Sequence, residues 1–435
     1  MNVAVYGLWH LGCVTAAGLA EAGHHVIGLD PDTEVIAALR SGRAPIHEPC
    51  LDELLLRQQA TGALSFESGG PDVLSGVDAL WVTLDTPIDA ADAADVGFVR
   101  ARLETLADAL RPGSLVVVSS QVPVGFTRAL AKDWAARSLS FAYSPENLRL
   151  GSALESFRNP DRIVVGVVDE LAERGMQRLL APFGRPIEWM SVESAEMTKH
   201  ALNAFLATSV SFINEISRLC ERLGADAREV ERGLKTDRRI GTRAYLSPGP
   251  SFAGGTLARD LRYLVGFGER HGTGTPLFEG VLESNAFHAR WQRDEVLRLL
   301  VGEPHPVAAI LGLTYKPGTS TLRRSAAVEL CHFLHRAGVQ VRAHDPAIRE
   351  LPEGLAPAVE LCGSPSEALR GADVAVLATP WPEYRELRAE DVVSAMRRAR
   401  VVDPGRVLED VFGGDGRILY LATGRPAGAR ASGSR

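Results

Sequence analysis

The sequence predicts an α/β protein, two Rossmann-like, doubly wound parallel-sheet domains joined by a long central helix and a helical core. Three observations carry this prediction. Short apolar runs alternate with helical stretches towards both ends of the chain. The first such unit is a strand, a glycine turn, a helix and a second strand. Near the middle, residues from Ala195 to Leu223 keep a helical period without Gly or Pro.

Taken in order, Val3 to Tyr6 is an apolar run, Gly7 to Gly12 a turn, and Cys13 to Ala22 an Ala-rich helix that Gly23 stops. His25 to Leu29 forms the second strand and ends in Asp30, which completes a βαβ unit. Runs at Ala79–Val82, Leu115–Val118, Phe141–Tyr143 and Ile163–Val167 extend the sheet, so residues 1–190 are assigned to a first domain. In the long helix Met197, Leu202, Phe205, Val210, Ile213, Ile216 and Leu219 recur near the helical period. A helix that long suits a connector between domains and pairing across a dimer, and residues 191–300 are assigned to a helical dimerisation and active-site block. A second α/β block opens at Val307–Leu311, has strands near Val339–Ala343 and Val374–Leu377, and closes near Val401–Asp403, giving a domain over 301–423. The tail, 424–435, is rich in Gly, Ala, Ser and Arg and is expected to be disordered.

Bulk properties narrow the function. A chain of 435 residues is too long for one core, and 46% hydrophobic with 23% charged residues is a globular composition. The net charge of −7 argues against sequence-independent nucleic-acid binding. Five cysteines without paired spacing suggest free thiols in a reducing compartment. The first strand starts at Val3, and no apolar run approaches the roughly 20 residues that span a bilayer. A cytoplasmic protein without nucleic-acid or membrane partners is expected, and no metal.

Gly7-Leu8-Trp9-His10-Leu11-Gly12 stands where a dinucleotide fingerprint belongs, between strand and helix. The first and third glycines are present, and Trp9 replaces the middle one. Asp30 places a carboxylate where ribose hydroxyls are bound, and no Arg follows closely to favour a 2′-phosphate. Gly7, Trp9, His10, Leu11, Gly12 and Asp30 are therefore expected to hold NAD rather than NADP.

Further segments extend the pattern. They are Ser144-Pro145-Glu146-Asn147-Leu148-Arg149, Asn159-Pro160-Asp161-Arg162-Ile163, and Ala195-Glu196-Met197-Thr198-Lys199 with Asn203, Asn214 and Glu215. Two more follow: Phe252-Ala253-Gly254-Gly255-Thr256-Leu257-Ala258-Arg259-Asp260, and Leu311-Gly312-Leu313-Thr314-Tyr315-Lys316-Pro317 with Arg323 and Ser325. In this order they resemble the UDP-glucose/GDP-mannose dehydrogenases over nearly the whole chain. The resemblance implies an NAD domain, a helical dimerisation core and a domain that grips a nucleotide diphosphate, GDP- or UDP-linked to a sugar. It implies a homodimer or a dimer of dimers. Lys316 and Arg323 would be anion ligands. Thr86 and Gln121 would complete the NAD site. Glu146, Asn147, Leu148, Arg149, Leu150, Lys199, Asn203, Tyr245, Phe252, Gly254 and Gly255 would line the sugar site.

The departures from the family pattern are selective. Members usually oxidise a primary alcohol twice, and the second oxidation needs a thiol to trap the aldehyde. Four residues before Asp260, the cysteine position holds Thr256; Cys13, Cys50, Cys220, Cys331 and Cys362 fall elsewhere. The glutamate associated with thioester hydrolysis is Leu150, and the threonine of the family's STVP segment is Gln121. The parts implied for the first hydride transfer remain: Glu146, Lys199, Asn203 and Asp260. Lys199 and Asn203, four apart, share a helix face and can stabilise a developing alkoxide, while Asp260 can accept the hydroxyl proton.

A single two-electron oxidation is therefore expected, of a secondary alcohol to a ketone or of a primary alcohol to an aldehyde that is released, the ketone being the chemically safer product. A hexose extended beyond C6 offers such a carbinol, and the GDP-octoses of lincosamide-type antibiotic biosynthesis are one example. Three other readings stay open: a nucleotide-sugar binding paralogue without catalysis, an epimerase that reduces NAD transiently, and a four-electron, uronate-forming dehydrogenase.

Overall fold

The computed structural model describes residues 1–69, 71–87, 95–145, 148, 150–253 and 256–426. The chain divides into two compact units, Met1–Ala201 and Leu202–Arg435. Within these units we propose the three blocks 1–190, 191–300 and 301–423.

The first unit is built on eight strands: β1 (Asn2–Tyr6), β2 (His25–Leu29), β3 (Leu64–Glu67), β4 (Ala79–Val82), β5 (Leu115–Val118), β6 (Ser140–Tyr143), β7 (Ile163–Val167) and β8 (Ile187–Ser191). Their order is β3-β2-β1-β4-β5-β6-β7-β8. β4, β5 and β6 are buried along their whole length because both faces are covered, which is why they read as unbroken apolar runs. In β1 the side chains alternate between layers, Val3 and Val5 joining one core and Ala4 and Tyr6 the other.

One joint departs from the all-parallel expectation, since β7 runs antiparallel to β6. Among its described residues the 144–162 connection carries only the short helix Ala153–Arg158. That helix is pinned to helix His10–Glu21 by Phe157, whose ring lies where a Gly18 Cβ would stand, 2.3 Å away. The chain therefore re-enters the sheet from the end at which it left, without the crossover that a parallel pair needs.

The central helix, Val192–Leu223, begins within the first unit and ends within the second. The second unit continues with helices Ala227–Thr236, Thr256–Arg270, Pro276–Ala289 and Trp291–Leu300. Its strands are β9 (Val307–Leu311), β10 (Gln340–His344), β11 (Glu360–Leu361), β12 (Val374–Leu377), β13 (Arg400–Val402) and β14 (Leu419–Leu421). They form a parallel sheet in the order β11-β10-β9-β12-β13-β14. β14 adds a strand beyond the expected close near Asp403. The buried Arg406 bonds both Asp226 and Glu409 at 2.6 Å, so its charge is fully compensated.

The tail expected to be disordered from Gly424 starts later. Gly424 N–H donates to Glu221 at 2.7 Å, and the buried Arg425 donates to the carbonyls of Gly413 and Tyr420 at 2.8 and 3.1 Å. The remainder of that tail, 427–435, lies outside the described residues.

Candidate active site

In the first unit the chain turns as soon as β1 ends. Gly7 has φ +99°, and a Cβ there would stand 2.7 Å from the Leu84 Cα. At Gly12 a Cβ would stand 1.9 Å from the Gly7 carbonyl oxygen. Neither position admits a side chain. Trp9 between them has φ −86° and is 46% exposed, so the middle position carries its indole without strain. His10 and Leu11 open helix His10–Glu21, the end of a helix at which N–H groups suit a pyrophosphate. Asp30 takes the Leu8 N–H on one oxygen at 2.7 Å and the Asp32 N–H on the other at 3.0 Å. Half-buried, it keeps further lone pairs for ribose hydroxyls. The glycine cradle and this carboxylate fit NAD.

Thr86 and Gln121, expected at the cofactor from two different loops, are brought together, for the Thr86 hydroxyl donates to the Gln121 carbonyl at 2.8 Å. The loop carrying Gln121 is gripped by the central helix. Buried Glu196 accepts the Gly125 and Thr127 N–H groups at 2.5 and 2.9 Å, and His200 Nε2 donates to the Val122 carbonyl at 3.1 Å. Burial raises the Glu196 carboxyl above its ordinary range, and those donors offset this only in part.

Sequence reasoning missed Glu48. This buried carboxylate accepts His10 Nε2 at 2.9 Å and the N–H groups of Gly151 and Ala153, each at 2.7 Å. Burial alone would raise its carboxyl, but these bonds together hold it below the ordinary range. It fastens the start of the dinucleotide helix to the segment that follows Leu150. Leu148 and Leu150 are half-buried there, while Glu146, Asn147 and Arg149 lie outside the described residues. Lys199 is buried on the central helix.

In the second unit Asn203 and Asp260 are both buried, and the Asn203 amide donates to the Asp260 carboxylate. Asn203 follows Lys199 by one turn of the same helix. Thr256 is the exposed first residue of helix Thr256–Arg270, one turn before Asp260. The loop before it is held through its backbone. Asn214 accepts from Gly249 N–H at 3.1 Å and donates to the Pro250 carbonyl at 3.3 Å. Asn285 bonds Phe252 in both directions, at 3.0 and 2.9 Å, and His288 Nε2 donates to the Gly249 carbonyl at 2.8 Å. Asn285 and His288 were also missed. The available signal was their spacing, since both continue the buried stripe begun by Val281. Tyr245 is exposed and Phe252 half-buried; Gly254 and Gly255 lie outside the described residues.

The second sheet repeats the first sheet's turn with a different outcome. Gly312 has φ +93°, and a Cβ there would stand 2.4 Å from that of Thr379. Asp345, after β10, accepts the Leu313 N–H at 2.7 Å, as Asp30 accepts that of Leu8. The same oxygen also accepts from Thr314 N–H, Thr314 hydroxyl and Trp381 Nε1 at 2.9, 3.0 and 3.1 Å, and Ala347 N–H bonds the other oxygen at 2.9 Å. This carboxylate is buried and saturated, so it offers nothing to a ribose. Half-buried Lys316 lies on the loop closed by the bond from Tyr315 N–H to the Thr321 carbonyl at 2.9 Å, and exposed Arg323 follows.

All five cysteines are free. Cys13, Cys220, Cys331 and Cys362 are buried, and burial pushes the thiols up, that of Cys331 to about 12. Cys50 is exposed, with φ +62°.

Residues 1–184 match the NAD binding domain of the UDP-glucose/GDP-mannose dehydrogenase family, 193–287 its central domain and 309–410 its UDP binding domain. The chain belongs to that family. This dehydrogenase is 34% identical to the UDP-glucose 6-dehydrogenase of Pseudomonas aeruginosa, with 98% of each chain covered. Its identity to UDP-glucose 6-dehydrogenase YwqF of Bacillus subtilis is also 34%, again over 98% of each. Among solved structures, a UDP-glucose dehydrogenase from Pyrobaculum islandicum superposes with a TM-score of 0.85 at 34% identity, covering 92% of this chain and 93% of that one. A UDP-D-ManNAc dehydrogenase from Pyrococcus horikoshii gives 0.85 at 25% identity, covering 98% and 99%. Family membership makes the protein an NAD-dependent oxidoreductase of the nucleotide-sugar dehydrogenase class. Among the described residues no helix is long and apolar enough to cross a membrane.

Proposed function

We propose that this dehydrogenase performs one two-electron oxidation of a nucleotide-linked sugar carbinol, secondary alcohol to ketone, and stops there. The observation that supports the reading is Thr256, a hydroxyl where the family resemblance puts a thiol. Without a thiolate an aldehyde is not captured for a second oxidation, and a threonine hydroxyl without a base is a poor nucleophile at neutral pH. A ketone cannot be oxidised further without breaking a C–C bond.

NAD, when bound, supplies the acceptor for the carbinol's carbon-bound hydrogen and its electron pair. The turn Gly7–Gly12 with Trp9, His10 and Leu11, together with Asp30, Thr86 and Gln121, is assigned to hold it. Asp260 takes the hydroxyl proton directly or through one water, oriented by the Asn203 amide. Lys199 and Asn203, one turn apart, stabilise the alkoxide as it forms. Lys316 and Arg323 are assigned to the diphosphate. Glu146, Asn147, Leu148, Arg149, Leu150, Tyr245, Phe252, Gly254 and Gly255 are assigned to the sugar.

Leu150, in the place of a glutamate, gives an apolar substituent room. The substrate class proposed is a GDP- or UDP-linked sugar extended beyond C6, such as a GDP-octose of antibiotic biosynthesis, oxidised at C6 in the cytoplasm. The working unit proposed is a homodimer. Phe205, Phe212 and Leu219 are exposed at seven-residue intervals along the central helix, a stripe that a second copy would cover.

Incubation with NAD and candidate nucleotide sugars tests the reading. One NADH per sugar and a ketone are expected. Two NADH with a uronate would sink it, an altered sugar without net NADH would indicate an epimerase, and binding without turnover a non-catalytic paralogue.

A further inference from the structure

Leu148 and Leu150, assigned above to the sugar, stand between two anchors, and both anchors lie on the cofactor's side of the first unit. Ahead of them, the Ser144 carbonyl accepts the Ser119 hydroxyl at 2.6 Å, and Trp81 Nε1 donates to that hydroxyl oxygen at 2.8 Å. Ser119 is two residues before Gln121, which is assigned to NAD. Behind them, Glu48 accepts the Gly151 N–H on Oε2 and the Ala153 N–H on Oε1, each at 2.7 Å. The same Oε2 accepts His10 Nε2 at 2.9 Å. One oxygen therefore serves both His10, in the dinucleotide turn, and Gly151, directly after Leu150.

The chain after Leu150 is held to helix His10–Glu21 along its length. Glu48 ties it to the first residue of that helix, Phe157 packs on Gly18 midway, and Arg158 donates to Glu21 at 2.6 and 2.9 Å at the far end. The Arg158–Glu21 pair is partly exposed and contributes little. The packing of Phe157 lies two turns away from the end assigned to the pyrophosphate. Glu48 differs from both, because it is only 3% exposed and meets the helix at that end. Water does not replace a donor lost by so buried a carboxylate, so a displacement of His10 is felt at Gly151.

We infer that Glu48 is a positioning residue: through His10 it couples occupancy of the dinucleotide turn to the chain at Gly151 and Ala153, so that NAD binding tightens the support beneath Leu150. A dinucleotide on the turn limits the movement of His10, and His10 in turn steadies the shared oxygen. The openings that free the Gly151 and Ala153 amides then become rarer. The sugar residues are thereby set in place when the hydride acceptor is present. This last consequence rests on the assignment of Leu148 and Leu150 to the sugar. The coupling itself needs only the cofactor, so it stands or falls separately from the one-step reading, which the NADH count tests.

Amide hydrogen exchange of the full-length protein, with and without saturating NADH, tests the inference. The Gly151 and Ala153 amides should exchange at least about fivefold more slowly with NADH. The control is the Ala172 N–H of the same unit, which is likewise held by a carboxylate, that of Asp169, at 2.8 Å. It should not respond, whereas a general gain in stability would slow all three. His10→Leu cuts the bridge and leaves Glu48 its two backbone donors. It should abolish the response at an NADH concentration that its own binding isotherm shows to saturate, and His10→Gln, which restores a donor, should bring the response back. Glu48→Gln, whose amide must face one of the donors, should abolish it as well, and it decides the question if His10→Leu no longer binds NADH. No slowing in the parent, equal slowing at Ala172, or a response that survives His10→Leu or Glu48→Gln overturns the inference. So does a response that His10→Gln fails to restore.

Discussion

The amide of Asn203 donates to the carboxylate of Asp260, 57 residues further along the chain, and neither side chain reaches solvent to any extent. The bond orients the carboxylate to which the proposed mechanism assigns the hydroxyl proton. Asp260→Asn keeps the volume and removes the base. We expect kcat to fall by about 10²- to 10⁴-fold, with sugar-nucleotide binding retained. Steady-state NADH formation beside a binding isotherm measures both, and near-parental kcat would remove Asp260 from the mechanism.

Thr256 is expected to be a bystander in the chemistry. Thr256→Ala should leave kcat within about threefold of the parent, because a single oxidation forms no covalent bond to the chain. A loss of a hundredfold or more would reinstate a nucleophile at that position.

The dinucleotide turn gives a steric prediction. Gly12→Ala drives a methyl to 1.9 Å from the Gly7 carbonyl oxygen, a distance that no side-chain rotation relieves. NAD affinity should drop by at least tenfold, read by calorimetry. Asp30→Ala should also weaken NAD, and it should narrow the preference for NAD over NADP by removing the carboxylate that a 2′-phosphate would meet.

His288 makes part of the stability depend on pH. Burial holds its ring at about 4, below the usual 6.5, whereas the unfolded chain takes up the proton near the usual value. Between those values the unfolded state binds more protons. The stabilisation is complete above pH 6.5 and is lost as pH falls towards 4, by roughly 3 kcal/mol at most. Denaturant unfolding at pH 7 and pH 4.5 should show a smaller difference for His288→Gln than for the parent. Equal differences would remove His288 from the titration.

Introducing charge on the central helix tests assembly. Phe212→Glu combined with Leu219→Glu places carboxylates on the exposed stripe and should shift sedimentation from dimer to monomer, with secondary structure unchanged by circular dichroism. A parent that already sediments as a monomer would refute the pairing.

Much of this architecture could be read from sequence where burial leaves an unbroken apolar run. β4, β5, β9 and β12 are such runs, covered on both faces, and each was located within a residue or two. β3, β8 and β14 were not. In β3 burial alternates along four residues, no residue of β8 is fully buried, and β14 has only three residues, so none leaves a continuous signal. The antiparallel joint was invisible because the 144–162 connection is long enough for a crossover, and the contacts that hold it on one side, Phe157 on Gly18 and Glu48 on Gly151 and Ala153, are remote in sequence. Of the candidate site, the glycine turn was legible through motif spacing, whereas Asn203 and Asp260 were named singly and the bond between them was not foreseen. Glu48 was not, since its partners Gly151 and Ala153 lie 103 and 105 residues away and nothing local marks it. Asn285 and His288 were marked only by their spacing from Val281. Polar residues on a helix read as a solvent face until their backbone partners are known.

The saturated Asp345 fixes how many dinucleotides one polypeptide can carry. Both lobes have the outline of a cofactor fold, yet one has turned its recognition group inward and tied it to its own loop. Each subunit should therefore load a single NAD, and reduction by added substrate should bleach or generate one equivalent of chromophore per polypeptide, whatever the number of subunits in the assembly.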